Sequence, residues 1–250
     1  MKAKTTVLTA VLLLLAMLGV SFAQKDKKWT EWSKKDADKM LNDSPWAKTQ
    51  TDTDSREGFF TPTSAPGVNG ARETSNDSSR ASQGATNQST SVSYIVRFYS
   101  ARPIRQALAR NVWLNQKEPD AATVQGLQRF GEVKSPDSII VTVSFKGAAG
   151  SDSRSVNPVM QAFNSATTGT LKNNVYLQRN DGKQLFLQEY IPPGKDGFGA
   201  RFIFLRMPEE KLFIDSNTKE IRFYAEFSSS IKIDRRFKTA EMMYEGELEY

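Results

Sequence analysis

Apolar and polar positions alternate along SVSYIVRFYS, residues 91–100, with Val92, Tyr94, Val96 and Phe98 on one side and Ile95, Arg97 and Tyr99 on the other. A period of two is that of a strand, so a folded domain is predicted to begin here. The period then lengthens. Ile104, Leu108 and Val112 recur at every fourth position behind Pro103, which predicts a helix over residues 101–116 with the proline in its first turn. Residues 119–130 predict a shorter helix opened by Pro119, residues 137–147 a strand, and residues 155–166 a third helix.

From residue 171 onward the pattern is one of strands. NNVYLQ and KQLFLQEYI flank Asn180-Asp181-Gly182, a strong hairpin signal because Asp-Gly supplies the positive φ of a tight turn. ARFIFLRM is apolar on both faces and is predicted to be central. KEIRFYAEF sets Ile221, Phe223, Ala225 and Phe227 against Arg222, Tyr224, Glu226 and Ser228, the pattern of an antiparallel strand with one wet face. Residues 230–237 and 242–250 follow with weaker alternation, the last predicted as a C-terminal strand completing a sheet. About seven or eight strands, with two or three helices in the first half, predict an α+β fold built mainly on antiparallel sheet or a β-sandwich.

Ahead of this domain, Lys2 and Lys4, an apolar run from Val7 to Val20 and Ser21-Phe22-Ala23 predict a signal peptide over residues 1–23, cleaved after Ala23. The run falls short of the ~20 residues that cross a bilayer, which disfavours an uncleaved anchor. Residues 24–50 form an arm that carries Trp29, Trp32 and Trp46 of the chain's four tryptophans. Ser33 with Asp36 resembles a capping box, and Ala37, Met40 and Leu41 follow at helical spacing before Pro45, so residues 33–42 are predicted as a short helix. Residues 51–91 are Ser, Thr, Asn, Gly and Pro with few apolar side chains, a composition expected to form a flexible linker to the domain at 92–250. Such a linker reaches roughly 35 Å, leaving the arm to dock on its own domain, on a partner protein, or on a sugar or headgroup. Deleting residues 24–90 is then expected to leave the domain folded and to abolish association.

Composition narrows the chemistry. With no cysteine there are no disulfides, thiolate metal sites or cysteine nucleophiles. With no histidine, Ser-His-Asp and typical zinc hydrolysis fall away, and carboxylate or lysine chemistry remains for any enzyme. The formal charge of +6, two units of it on Lys2 and Lys4, is too small to imply nucleic acid.

Arg97, Arg102, Arg105 and Arg110 form the densest basic group. Guanidinium forks suit phosphate or carboxylate, so an anionic polymer or headgroup would fit them; a solvated helix face is the plainer alternative. YIPPGKDGFGARF, residues 190–202, is a Pro-Gly-rich loop with Phe198 at its tip, read as a binding loop or a long hairpin connection. Its glycines match neither phosphate motif. Ser216-Asn217-Thr218-Lys219 matches S-x-x-K only in letters, because it falls between strands and lacks the accompanying motifs. The acids Asp137, Asp152, Glu189 and Asp196 sit at loops or strand ends, and nothing in the sequence selects a catalytic pair among them.

The tract WTEWSKKDADKMLNDSPWA, together with a closing F-K-x-x-x-M-x-Y-E-G-x-L-E, resembles exported bacterial proteins of acidobacterial type. The resemblance implies export and a bacterial origin; that group has no established activity, so no catalytic residue, cofactor or metal follows from it. The expected function is an exported, non-enzymatic binding or assembly module of the cell envelope, periplasmic or extracellular. It would contact a protein or anionic polymer, through Trp29, Trp32, Trp46, Arg97, Arg102, Arg105 and Phe198. The alternative is a carboxylate-dependent hydrolase or lyase acting on polysaccharide.

Overall fold

A computed structural model describes residues 27–54, 90–134, 137–147 and 153–250. The expected leader and residues 55–89 of the expected linker lie outside them. Among the described residues the fold is α+β, with antiparallel sheets of five, four and two strands and five α-helices. The five-stranded sheet runs in the order β1 (Ala47–Asp54), β2 (Thr90–Phe98), β3 (Ser138–Gly147), β7 (Ala200–Leu205), β6 (Glu189–Ile191). The four-stranded sheet runs β5 (Gln184–Phe186), β4 (Val175–Arg179), β8 (Glu220–Ser228), β9 (Ile231–Lys238).

The alternation explains how the sheets meet. Val96, Phe98, Val141, Val143, Phe202 and Phe204 share one face of the larger sheet. Leu177, Ile221, Phe223, Ala225 and Ile233 share one face of the smaller. Burial of both sets in one cluster makes a sandwich. Phe98 packs edge-on against Phe237 at 4.8 Å, and Phe202 against Phe223 at 5.3 Å. Helices cover the remainder: α1 (Lys34–Asn42), α2 (Arg102–Asn115), α3 (Ala121–Glu132), α4 (Ser153–Ser165) and the single turn α5 (Thr168–Leu171).

Three expectations change in detail. Residues 183–191 make two strands, because the chain changes sheets between Leu187, whose N–H donates to Val175 O, and Gln188, whose N–H donates to Ile203 O. The strand expected over 200–207 is interior, between β3 and β6, but ends at Leu205 and is paired with β6 along only three residues. The last residues join neither larger sheet; β10 (Met243–Tyr244) and β11 (Glu247–Leu248) form the two-stranded one, a hairpin turning through Glu245 and Gly246, both at positive φ.

The larger correction concerns the tryptophan segment. Ser33 does cap α1, its hydroxyl accepting from Asp36 N while the Asp36 carboxylate accepts from Ser33 N. Beyond the helix, the chain pairs with the domain instead of leaving it: Ala47 to Asp54 is antiparallel to β2, from Ala47↔Arg97 to Asp54↔Thr90. Residues 51–54 and 90–91, expected in the linker, are therefore strand. Trp29, Trp32 and Trp46 are all buried in the common core. Of the docking surfaces open to the arm, the structure has its own domain.

Candidate functional site

Each of the three tryptophans of residues 27–54 is held by its ring nitrogen. Trp29 donates to Glu132 Oε1 at 3.0 Å and lies edge-on to Trp113, Trp32 donates to Lys27 O, and Trp46 donates to Glu249 O at 2.7 Å. Burying an indole stabilises by several kcal/mol, about 3–5 by the cost of truncation, so these rings are core and present no face to a partner. Arg97 is also internal. Its Nε donates to Leu41 O, Nη1 to Ser144 Oγ at 2.7 Å and Nη2 to Asn42 Oδ1 at 3.1 Å, tying the last turn of α1 to β2 and β3. Burial lowers its pKa to about 10. Phe198 is half-buried against Tyr99 at 5.7 Å, and its loop is braced by an Arg201–Asp196 ion pair, so it is not a free tip.

Arg102 and Arg105 share the start of α2 but have different fates. Ala101 offers no side-chain cap to that helix; Glu249, from the C-terminal hairpin, supplies it by accepting from Arg102 N at 3.0 Å. The same carboxylate takes Arg102 Nε at 3.1 Å, and Glu245 takes Arg102 Nη1 at 2.9 Å. Arg102 is therefore satisfied. Arg105, one turn on, is only 3 % exposed. Its Nη1 donates to Ser100 O, while Nε and Nη2 are buried without a partner. Those two nitrogens are the side-on fork of a guanidinium, the edge that matches two oxygens of a carboxylate or phosphate.

A cavity of about 180 Å³ lies beside Arg105, walled by Ser100, Arg105, Lys134, Arg206 and residues 247–249. Arg206 reaches it from the end of β7. Its guanidinium lies over the Tyr250 ring at 4.2 Å, Nη2 donates to Tyr250 O, and Nε is buried without a partner. The acids present are already committed: Glu249 to Arg102, and Glu247 to Lys134 at 2.8 Å. Desolvation lowers the Arg105 pKa, partly offset by Glu249, and Arg206 and Arg102 push it down further as like charges.

An unmet buried donor costs about 1–3 kcal/mol, more when charged, so such groups are seldom left bare. An oxyanion answers such donors and their charge together, where water answers the donors alone. Of the residues singled out by sequence, the structure places Arg105 in the wall, brings Arg102 beside it through Glu249, and leaves Trp29, Trp32, Arg97 and Phe198 out. Trp46 touches it only through the Glu249 carbonyl. Lys134 and Arg206 carry no local signal; strand pairing and the turn after α3 deliver them.

Known proteins supply no relationship to set beside this geometry: no family model, no curated protein and no solved structure matches the chain.

Proposed function

We propose that this chain is an exported, non-enzymatic binding module of the bacterial cell envelope that holds an anionic group of its partner between Arg105 and Arg206. The observation that carries the reading is a buried arginine, Arg105, whose Nε/Nη2 fork has no partner among the described residues and which lines a cavity of about 180 Å³. Export rests on the leader-like residues 1–23 and the absence of histidine and cysteine argues against the commonest enzyme chemistries. No observation favours the polysaccharide hydrolase, because the two acids at the cavity are each held by a cation.

The test follows the Arg105 Nε–H resonance in labelled full-length protein during titration with inorganic phosphate and, separately, with acetate. A saturable downfield shift is expected, absent in Arg105→Gln and weakened in Arg206→Gln. A resonance that stays unmoved by either anion, or equal binding by Arg105→Gln, would overturn the reading.

A further inference from the structure

A second feature lies where an edge of each sheet comes together. β1 is the edge of one sheet and β9 the edge of the other. Gln50 of β1 bridges them with its side-chain amide: Nε2 donates to Lys232 O at 2.8 Å and Oε1 accepts from Asp234 N at 2.9 Å. Bonding to residues on either side of Ile233 is what one residue of an added strand would do. A side chain thus stands in for a peptide unit at one point of an edge that no other strand among the described residues covers.

The same pair of bonds fixes the register of that edge. Lys232 and Asp234 turn their backbone groups away from β8, and the unbroken pairing from Tyr224↔Asp234 to Glu220↔Lys238 means that Arg236 and Lys238 do so too. Asp234 O and both backbone groups of Arg236 have no partner among the described residues. Beside them is an open cleft of about 540 Å³ lined by Lys48, Thr49, Gln50, Asp234, Arg235 and Arg236.

The charge of the cleft is specific as well. Arg235 occupies an inner-face position of β9, opposite Phe223, in a row that is otherwise apolar. Its Nε is buried without a partner, and no described carboxylate pairs with it or with Lys48. Asp234, the acid of the cleft, is neutralised by Nε and Nη2 of Arg222, which donate to its two oxygens at 2.8 and 2.6 Å.

We infer that the β9 edge accepts an extended, acidic segment of a partner protein by strand addition, continuing from Gln50 along residues 234–238. The partner's main chain takes the bare groups of Asp234 and Arg236, and its carboxylates meet Lys48 and Arg235. No residue lines both this cleft and the Arg105 cavity, so either proposal can fail while the other stands.

The probe is a capped heptapeptide of alternating glutamate and valine, titrated into isotope-labelled full-length protein, beside a lysine–valine counterpart and a copy N-methylated at alternate residues. The acidic peptide is expected to shift and protect from exchange the amides of Arg236 and Lys238. The N-methylated and lysine peptides should bind at least tenfold more weakly, and Arg235→Gln should weaken the acidic peptide several-fold. Arg236→Pro removes an outward donor without touching the β8 ladder and should abolish binding. Because the N-methyl comparison uses unaltered protein, it remains decisive if that variant misfolds. Equal binding of the N-methylated peptide, shifts confined to another surface, tighter binding of polygalacturonate than of the peptide, or self-association through β9 would each overturn the inference.

Discussion

Tyr94 and Tyr244 show at the level of single residues how far burial sets chemistry in this chain. Tyr94 stacks on Phe163 inside the sandwich, and burial, reinforced by Asp52, raises its pKa to about 12. Tyr244 donates to Gln106 Oε1 at 2.6 Å beside Trp46, and burial, with Glu245 next, raises it to about 12 also. Both folded values lie above the ordinary 10. The stabilisation is therefore complete below pH 10 and is lost as pH rises towards 12, since the unfolded chain gives up these protons first. Absorbance at 295 nm should show Tyr94, Tyr224 and Tyr244 titrating about two units late and Tyr99, Tyr190 and Tyr250 displaced upward with them, with denaturant midpoints falling between pH 10 and 12; ordinary titration of all tyrosines would contradict the burial. The same physics decides what sequence reveals of a site. Arg102 and Arg105 look alike at i, i+3 spacing, but only Arg105 is sunk, because Glu249 and Arg206 arrive from strands far along the chain. Spacing on a helix gives neighbours on that helix and nothing about what closes over them.

Elements were legible where their signals are local. The Ser33–Asp36 box, the Asp181-Gly182 turn and the alternation of Glu220–Ser228 each encode their own conformation, and each forms. The change of sheet at Leu187–Gln188 was not legible, since both sides of it read as one strand and only the positions of Val175 and Ile203 divide them. Gly199 is a further case. It has φ +84, and a Cβ there would run into the Val143 carbonyl, so the Pro-Gly-rich loop returns to β7 by passing its backbone hard against β3. Gly199→Ala is expected to cost at least ~2 kcal/mol, against about 1 kcal/mol for Ser33→Ala, which removes an exposed cap alone. Urea midpoints of the two variants, measured side by side, check the order; a Gly199→Ala protein as stable as the parent would mean the loop has room to move.

For the molecule as a whole, the decisive fact is that residues 27–54 supply an edge strand and three buried indoles to the same core as residues 90–250. Sequence could not show this, because the long polar tract between them reads as a separation whichever way its ends fold back. A chain beginning at residue 90 would expose the β2 edge, bare the α2 and α3 surfaces under Trp29 and lose the brace on Arg97. It is expected to show neither dispersed amide resonances nor a cooperative melt. A sharp thermal transition from that fragment would restore the picture of a separable arm. The Trp46 bond to Glu249 O spans 203 residues. Glu249 in turn caps α2, so the helix start that positions Arg105 depends on a carboxylate made long after it. During synthesis from N- to C-terminus, a nascent chain stalled before residue 245 has neither the cap nor the hairpin, and the arginine pocket has no third wall. Completion of this corner of the fold must then follow synthesis of the last residues, so the start of α2 is among the late parts to be fixed.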